Sequence, residues 1–233
     1  MSLDIWENWE LTATISKLKD MDRNHKILNE LERLYKGGPF LSGRTPFERL
    51  IAVILSAQCT DKQVNKVTKE LFKKYRTPKA FANADIKELE KLVYSTGFYR
   101  AKARYLKETS QIILDRFGGK VPDKMEDLLE LRGVARKVAN IVMWEAHNTI
   151  SGIPVDTHVK RVSYRLGLTK NTDPNKIEQD LINMYPKEKW PNVSYMLIEH
   201  GRAVCDARNP NCKNCVFDDI CPKTGVNKKH SNV

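Results

Sequence analysis

The chain has 233 residues, of which 41% are hydrophobic and 30% are charged, an ordinary balance for a globular protein with room for one large or two small domains. Its formal net charge of +11 indicates a polyanionic partner, nucleic acid before a membrane surface. No apolar run approaches the ~20 residues that cross a bilayer, and the N-terminus lacks the layout of a signal peptide. We therefore expect an intracellular, cytoplasmic protein with no membrane partner.

Almost every periodic segment predicts a helix, and none shows the sustained alternation of a half-buried strand. The first predicted helix covers 27–35 and is ended by Gly37-Gly38-Pro39. A nearly all-apolar helix follows from Thr45-Pro46 to residue 54, and apolar positions 64, 67 and 71 predict the next. Asp85 and Glu88 form a capping-box pattern that starts a helix over 85–93.

The second half of the chain continues the helical pattern. Residues 106–113 predict a helix that ends at Gly118-Gly119, and residues 125–129 predict a short one. Further helices are predicted from about residue 135, after Asp156, and from Asp173-Pro174. Residues 1–20 are poorly periodic, and residues 224–233 are predicted to form a polar tail. The sequence therefore predicts an all-α fold.

Four of the five cysteines lie between Cys205 and Cys221, with the spacing C-x6-C-x2-C-x5-C. Four thiolates can bind one Zn²⁺ ion or a [4Fe–4S] cluster, whereas disulfides are disfavoured in a reducing compartment. Only Cys212 and Cys215 form the close pair that is usual in zinc sites, so the spacing favours the cluster over zinc. Cys59 lies apart and is predicted to be a small core residue.

A second informative stretch is LRGVARKVANIVMW, which begins at Leu131. The short helix before it, the Gly133 turn and the new helix near Ala135 together predict a helical hairpin. The free N–H groups of a helix N-terminus bind anions, and Arg132, Arg136 and Lys137 surround this one, so a nucleic-acid phosphate is the expected ligand. Helical hairpins with glycine and basic residues also occur without any ligand.

Lys137 and Asp156 each admit a structural and a chemical interpretation. Lys137 lies in the first turn of its helix, where the helix dipole favours a neutral amine. That effect is worth only ~0.3–1 kcal/mol, so activation would need burial as well, and a solvated lysine is the alternative. Asp156 precedes a predicted helix and is a ready N-cap. Its ionised carboxylate would also suit an electrostatic or proton-relay partner of Lys137.

Together these stretches resemble the endonuclease III family of DNA base-excision glycosylases, in the helix-hairpin-helix superfamily. The resemblance covers roughly residues 25–222. It rests on the four-cysteine spacing and on LSAQCTD, STGFYRAKA, LRGVARKVAN, VDTHVKRVSYRLGL and EHGRAVCDARNPNC. It implies two helical domains flanking a DNA-binding groove. One is a six-helix domain over 40–153 that contains the hairpin, and the other combines 1–39 with 154–233 and holds a [4Fe–4S] cluster.

The resemblance also implies an activity. The protein is expected to remove oxidised pyrimidines from double-stranded DNA and to cleave the abasic site on its 3′ side by β-elimination through a Schiff base, acting as a monomer. Lys137 aligns with the family's nucleophile and Asp156 with its essential aspartate. Related monofunctional glycosylases lack a lysine at this position, so Lys137 favours the lyase-competent branch. The expected cluster ligands are Cys205, Cys212, Cys215 and Cys221.

Several further residues are expected to contact DNA. Gln58 matches the family glutamine that fills the gap left by the flipped nucleotide, Phe98 an intercalating apolar wedge, and Arg208 a loop position that contacts phosphate. The alternative for Gln58 is a polar residue at a helix C-terminus, that for Phe98 a core aromatic, and that for Arg208 plain surface charge. The hairpin contacts are expected from Arg132, Gly133, Val134, Ala135 and Arg136.

The chain departs from the family pattern in three places. Ala135 stands where glycine is usual, which we expect to be tolerated, and Arg132 stands where proline is usual. The segment WEAHNTISGIPVDTH lacks the usual Phe-Gly, and His147 and Asn148 within it are expected to bear on the lesion pocket. Two rival functions remain open at this stage: a mismatch glycosylase acting on uracil or thymine opposite guanine, and a non-catalytic DNA-binding protein with a cluster or zinc ion.

Overall fold

The computed structural model describes residues 4–226, with side chains from residue 18 onward. Over this range the chain forms eleven α-helices and no strand, which confirms the predicted all-α class. It divides into two compact units: the contiguous unit, Pro39–Pro154, and the discontinuous unit, Met1–Gly38 with Val155–Val233. Between residues 4 and 226, none of the helices has the length and apolar character needed to cross a membrane.

The contiguous unit is built around its first helix, α2, which is buried along almost its whole length. Thr45 caps this helix by accepting the Glu48 N–H at 3.1 Å, and proline occupies its first turn, as the sequence predicts. The helices of the unit are α2 (Pro46–Leu55), α3 (Asp61–Lys74), α4 (Pro78–Ala82), α5 (Ile86–Val93), α6 (Tyr99–Phe117), α7 (Met125–Leu129) and α8 (Arg136–His147). One continuous hydrophobic core joins them.

The discontinuous unit contains α1 (Asp4–Leu34), α9 (Thr157–Arg165), α10 (Pro174–Met184) and α11 (Trp190–Ala203). Helix α11 is the centre of this unit and packs against both α9 and α1. Ile27 and Leu31 on α1 and Leu197 on α11 are fully buried. After α11 the chain continues into the segment that carries the four clustered cysteines.

The structure differs from the predicted helices in two places. Helix α1 begins at Asp4 instead of near Ile27. Among the side chains of the extension that the structure describes, Leu18 and Met21 are 59% and 55% exposed, so they form no buried stripe that would reveal the helix. Helix α11 was not predicted because it is buried on nearly all sides and so lacks an amphipathic period. Most of the predicted polar tail, and residues 1–3, lie outside the described residues.

The capping box predicted at the start of α5 forms only in part. Asp85 accepts the Glu88 N–H at 2.9 Å, as an N-cap should. The Glu88 carboxylate does not return to Asp85; it pairs with Lys74 and accepts the Tyr75 hydroxyl at 2.8 Å. Helix α5 therefore begins where predicted, and the Glu88 side chain connects it to α3 instead of closing the box.

Candidate active site, nucleic-acid interface and cysteine centre

The predicted helical hairpin is present between α7 and α8. Leu131 and Val134 are buried and anchor the turn, and the Val134 N–H donates to the Leu131 carbonyl at 3.2 Å. Between them, Arg132 and Gly133 are exposed. The Arg132 carbonyl accepts the Thr109 hydroxyl of α6 at 2.8 Å, which fixes the main chain where the family usually has proline. The turn therefore projects its exposed backbone from a fixed base.

Gly133 is required at the tip of the hairpin for two reasons. Its φ of +78° is in the left-handed region, and an added Cβ would lie 3.0 Å from Cδ2 of Tyr105. We expect Gly133→Ala to lower the free energy of unfolding by about 1–3 kcal/mol in denaturant titration. Gly118→Ala is the matched control, because Gly118 also has a positive φ but open space around it. Equal losses in the two variants would contradict the contact with Tyr105.

The N-terminus of α8 is the candidate anion site. Its N-cap, Ala135, has a φ of −100°, so the backbone needs no glycine there, and the alanine costs no backbone strain. Ala135 also has no side-chain oxygen with which to cap the helix, so the first-turn N–H groups suit an anionic ligand. Lys137 lies in this first turn and is half-buried, unlike the fully solvated lysine of the structural interpretation.

Basic side chains surround this helix start. Arg136 is half-buried, whereas the Arg132 side chain is 68% exposed and only 3.7 Å from the Glu108 carboxylate. An exposed ion pair of this kind is worth less than about 1 kcal/mol, so Arg132 can exchange Glu108 for a phosphate at little cost. The arrangement brings the predicted hairpin residues and Lys137 together at one end of α8.

Gln58 and Phe98 share an uncommon backbone conformation. Their φ values are 52° and 49°, in the left-handed region that disfavours side chains, and both are exposed. Phe98 is 65% exposed, so its interpretation as a core aromatic is wrong. Strained residues of this kind concentrate at functional sites. Gln58 follows the C-terminus of α2 and Phe98 immediately precedes α6.

The segment between Lys137 and Asp156 that departs from the family pattern lies at the C-terminus of α8. Asn148 ends the helix with a φ of 52°, a position that asparagine tolerates well. His147 is the last helical residue, and its Nε2 atom is buried with no hydrogen-bond partner within the part of the chain that the structure describes. Cys59, predicted to be a core residue, is half-buried and packs against the hydrophobic core.

In the discontinuous unit, Asp156 is the N-cap of α9, as the sequence predicts. Its Oδ1 atom accepts the N–H groups of His158 and Val159, both at 2.8 Å. Arg161, one turn further along α9, contacts His158 Nδ1 at 3.1 Å and donates to the Cys205 carbonyl at 3.1 Å. Asp156 is thus held on a helix that is tied directly to the cysteine segment.

All four clustered cysteines line one small cavity. None of them forms a disulfide. N–H groups point at their sulfur atoms: those of Phe217 to Cys215 at 3.4 Å, Lys223 to Cys221 at 3.3 Å and Arg165 to Cys205 at 3.5 Å. Such hydrogen bonds stabilise thiolates and tune iron–sulfur clusters. Across residues 4–226, no three His, Cys, Asp or Glu side chains are grouped to bind a single metal ion.

The cysteine side chains lie close enough to influence one another. Burial, opposed by the Phe217 hydrogen bond, raises the pKa of Cys215 to about 11, and nearby Cys221 adds to the increase. Burial also raises the pKa of Cys212 and of Cys221. Ionisation of these three thiols together requires a cationic centre. The four converging cysteines and the N–H groups directed at their sulfur atoms therefore fit an iron–sulfur cluster.

Two residues that the sequence analysis missed support this centre. Arg165 is 8% exposed, and its guanidinium donates to the carbonyls of Asp206 at 2.6 Å and Ala207 at 2.8 Å. His200 is 1% exposed, and its Nε2 lies 3.7 Å from Cys215 Sγ. Burial lowers the pKa of His200 to about 4, so its ring is neutral at physiological pH.

The loop between Cys205 and Cys212 is also ordered from within. The Asp206 Oδ1 atom accepts the N–H groups of Arg208 at 2.8 Å and Asn209 at 3.0 Å. The hydrogen bond from Asn209, and then that from Arg208, lower the pKa of Asp206. The loop presents Arg208 as an exposed cation.

Comparison with known proteins agrees with this fold. Residues 51–187 match the HhH-GPD superfamily of base excision DNA repair proteins. The chain is 50% identical to endonuclease III of Synechocystis sp. over 86% of its own length and 92% of that protein. It is 42% identical to endonuclease III of Bacillus subtilis over 76% of its length and 80% of that protein.

Solved structures give the same result. A non-covalent endonuclease III–DNA complex superimposes with a TM-score of 0.84 at 40% identity, covering 87% of this chain and 95% of that one. A thermostable thymine-DNA glycosylase, at 24% identity and a TM-score of 0.76 over 91% and 98% of the two chains, shares the fold. The chain therefore belongs to the endonuclease III family of the HhH-GPD superfamily.

Proposed function

We propose that this protein is a base-excision DNA glycosylase and abasic-site lyase that removes oxidised pyrimidines from duplex DNA. The observation that carries the proposal is a half-buried lysine, Lys137, at the N-terminus of the hairpin helix in a chain of the endonuclease III family. We further propose that the contiguous unit, which contains the hairpin, and the discontinuous unit, which would hold the iron–sulfur cluster, lie on the two sides of a DNA-binding groove. The protein would act as a monomer on cytoplasmic, nucleoid DNA.

Lys137 would supply the nucleophile. In the proposed reaction its neutral amine forms a bond to C1′ of the flipped nucleotide, and the glycosidic bond breaks with its electron pair leaving on the base. The sugar ring then opens to a Schiff base on Lys137. Loss of a C2′ proton and cleavage of the C3′–O bond cut the strand by β-elimination, and hydrolysis of the imine frees the enzyme.

Asp156 would act as an ionised carboxylate. Both of its capping hydrogen bonds end on Oδ1, which fixes the carboxylate at the start of α9. A fixed negative charge would help to remove a proton from the Lys137 amine and would stabilise the positive character of the sugar in the transition state. The N-cap and chemical roles of Asp156 are therefore compatible.

DNA would be held by the exposed backbone of the hairpin and by separate side chains. The N–H groups at the start of α8, with Arg132 and Arg136, would bind phosphate. Gln58 would fill the space left by the flipped nucleotide, Phe98 would intercalate in the opposite strand, and Arg208 would bind phosphate from the cysteine loop. The exposure of Gln58, Phe98 and Arg208 supports these roles.

A [4Fe–4S] cluster, held by Cys205, Cys212, Cys215 and Cys221, would have a structural function. It would supply no step of the reaction. Its role would be to bind the four cysteine sulfur atoms and to hold the loop of Arg208 in place. The hydrogen bonds of Arg165 to that loop support the same function, because they fix its backbone at Asp206 and Ala207.

The two roles of Asp156 can be separated by substitution. Asp156→Asn keeps a good N-cap but removes the charge, so we expect base release at least about a hundredfold slower with unfolding free energy within about 0.5 kcal/mol of wild type. Asp156→Ala should lose the same activity and in addition about 1 kcal/mol of stability. Base release by Asp156→Asn at the wild-type rate would restrict this residue to capping.

A panel of defined duplexes tests the proposed substrate class. Each duplex carries thymine glycol opposite adenine, uracil opposite guanine, thymine opposite guanine or an abasic site, and is scored for base release and nicking. We expect release and nicking with thymine glycol and nicking of the abasic site. Preferential release from the mismatches would establish the rival mismatch specificity, which the endonuclease III relatives do not favour. Binding without either reaction would establish a non-catalytic protein.

A further inference from the structure

Lys102 of α6 is a buried cation to which the proposed reaction assigns no role. It is 3% exposed, and its Nζ atom donates to the carbonyl oxygens of Leu55 at 2.9 Å and Thr96 at 2.7 Å. Within the described part of the chain it forms no salt bridge. Burial lowers its pKa, and the nearby Cys59 opposes this decrease. The two carbonyl oxygens are therefore the main compensation for its charge.

Both carbonyls belong to the ends of helical segments. Leu55 is the last residue of α2, and Thr96 is the last residue of the 3₁₀ helix Tyr94–Thr96. Carbonyl oxygens at such ends lack partners within their own helix and carry partial negative charge. One ammonium group thus caps two helix ends that come from separate parts of the chain.

Each of these helix ends leads directly into a residue in the left-handed conformation. The chain passes from Leu55 into the turn with Gln58, and from Thr96 through Gly97 to Phe98. A second bond lies at the surface, where Gln63 Nε2, on the helix that follows the Gln58 turn, donates to Ser95 Oγ at 2.6 Å. Lys102 is the buried part of this connection, and it joins the two segments that lead to the side chains proposed to enter DNA.

We propose that Lys102 is a positioning residue that sets the spacing between Gln58 and Phe98 and so couples their insertion into the two DNA strands. The inference rests on the proposed function of these two residues. A flipped nucleotide leaves one gap on its own strand and an unpaired base opposite, so both side chains must arrive in register. A rigid connection between their loops prepares that register before DNA binds.

Lys102→Met keeps the length and apolar stem but removes the ammonium, leaving two buried carbonyls without a donor. We expect the single-turnover rate of base release from a thymine glycol duplex to fall about tenfold or more. In a Gln58→Ala, Phe98→Ala background, the same substitution should change the rate less than about twofold, because the side chains that Lys102 places are already gone. A merely structural lysine would lower the rate by the same factor in both backgrounds, which would overturn the proposal.

Lys107→Met is the matched control. Lys107 lies on the same helix and donates to the Ala84 carbonyl at 2.6 Å, away from both loops. It should affect thermal stability but leave the rate of base release within about twofold of wild type. If Lys102→Met fails to fold, Lys102→Arg replaces it, because arginine keeps the charge but displaces the loops. Its effect on the rate of base release is again compared between the wild-type and the Gln58→Ala, Phe98→Ala backgrounds.

A second readout separates this proposal from the proposed function. The same variants are bound to a duplex with a tetrahydrofuran abasic analogue opposite 2-aminopurine, whose fluorescence reports insertion beside it without any chemistry. Loss of the wild-type fluorescence change in Lys102→Met, with retention in Lys107→Met, supports the positioning role even if no lesion is excised. If Lys102→Met shows the same fluorescence change as wild type, the positioning role is contradicted, even if wild type is an active glycosylase.

Discussion

Lys137→Gln is expected to abolish base release and strand cleavage together, lowering the single-turnover rates at least about a thousandfold. The glutamine amide has no nucleophilic lone pair, so neither the bond to C1′ nor the Schiff base can form. The side chain stays polar and of similar length in a half-buried position, so the fold and the affinity for DNA should persist. The measurement is base release and nicking on thymine glycol and abasic duplexes, with binding measured in parallel.

Lys124→Gln is the matched control for this substitution. Lys124 is exposed and immediately precedes α7, the first helix of the same hairpin. It therefore also contributes positive charge to the hairpin, but it does not lie at the N-terminus of α8. It should retain nearly the full wild-type rate. If Lys137→Gln still nicks abasic DNA by β-elimination, another amine is the nucleophile.

The second large effect is expected from the cysteine centre. Purified protein should be brown and contain four iron atoms per chain, and Cys215→Ser should lose iron and several kcal/mol of unfolding free energy. Cys215 Sγ accepts the Phe217 N–H at 3.4 Å and lies 3.7 Å from His200 Nε2, and the smaller serine oxygen, on a shorter bond to Cβ, does not reproduce these contacts. Iron analysis and denaturant titration measure the two losses.

Cys59→Ser provides the control for that variant. Cys59 is half-buried and packs against the core of the contiguous unit, apart from the four clustered cysteines. It should keep all of the iron and lose only packing energy, about 1 kcal/mol. A colourless wild-type protein with one zinc per chain would contradict the assignment of the cluster.

Local signals in the sequence predicted much of the fold. Thr45, Asp85 and Asp156 each start a helix as N-caps, and Gly118 ends α6 in the left-handed conformation, because capping depends on a few neighbouring residues. Helix α11 escaped prediction because tertiary burial on all sides removes the periodic contrast on which such predictions depend.

In the candidate site, too, local features could be predicted from the sequence and long-range contacts could not. Lys137 and the hairpin follow from adjacent residues, whereas Lys102 and Arg165 act on carbonyls far away in the chain. The helical periodicity of the sequence could have indicated that both side chains are buried. Lys102 lies four residues before Leu106, and Arg165 lies three residues after Val162, on the buried faces of their helices. A cation on an apolar face predicts a buried partner, but the sequence does not identify which carbonyl it binds.

The most direct test of Lys137 as the nucleophile is borohydride reduction of the protein with an abasic duplex, followed by mass spectrometry of the cross-linked peptide. Reduction converts a Schiff base into a stable secondary amine and so marks the atom that attacked C1′. We expect one covalent adduct, on Lys137, that is absent from Lys137→Gln and present in Lys124→Gln. An adduct on another residue, or no adduct from wild-type protein that binds the duplex, would contradict the proposed mechanism.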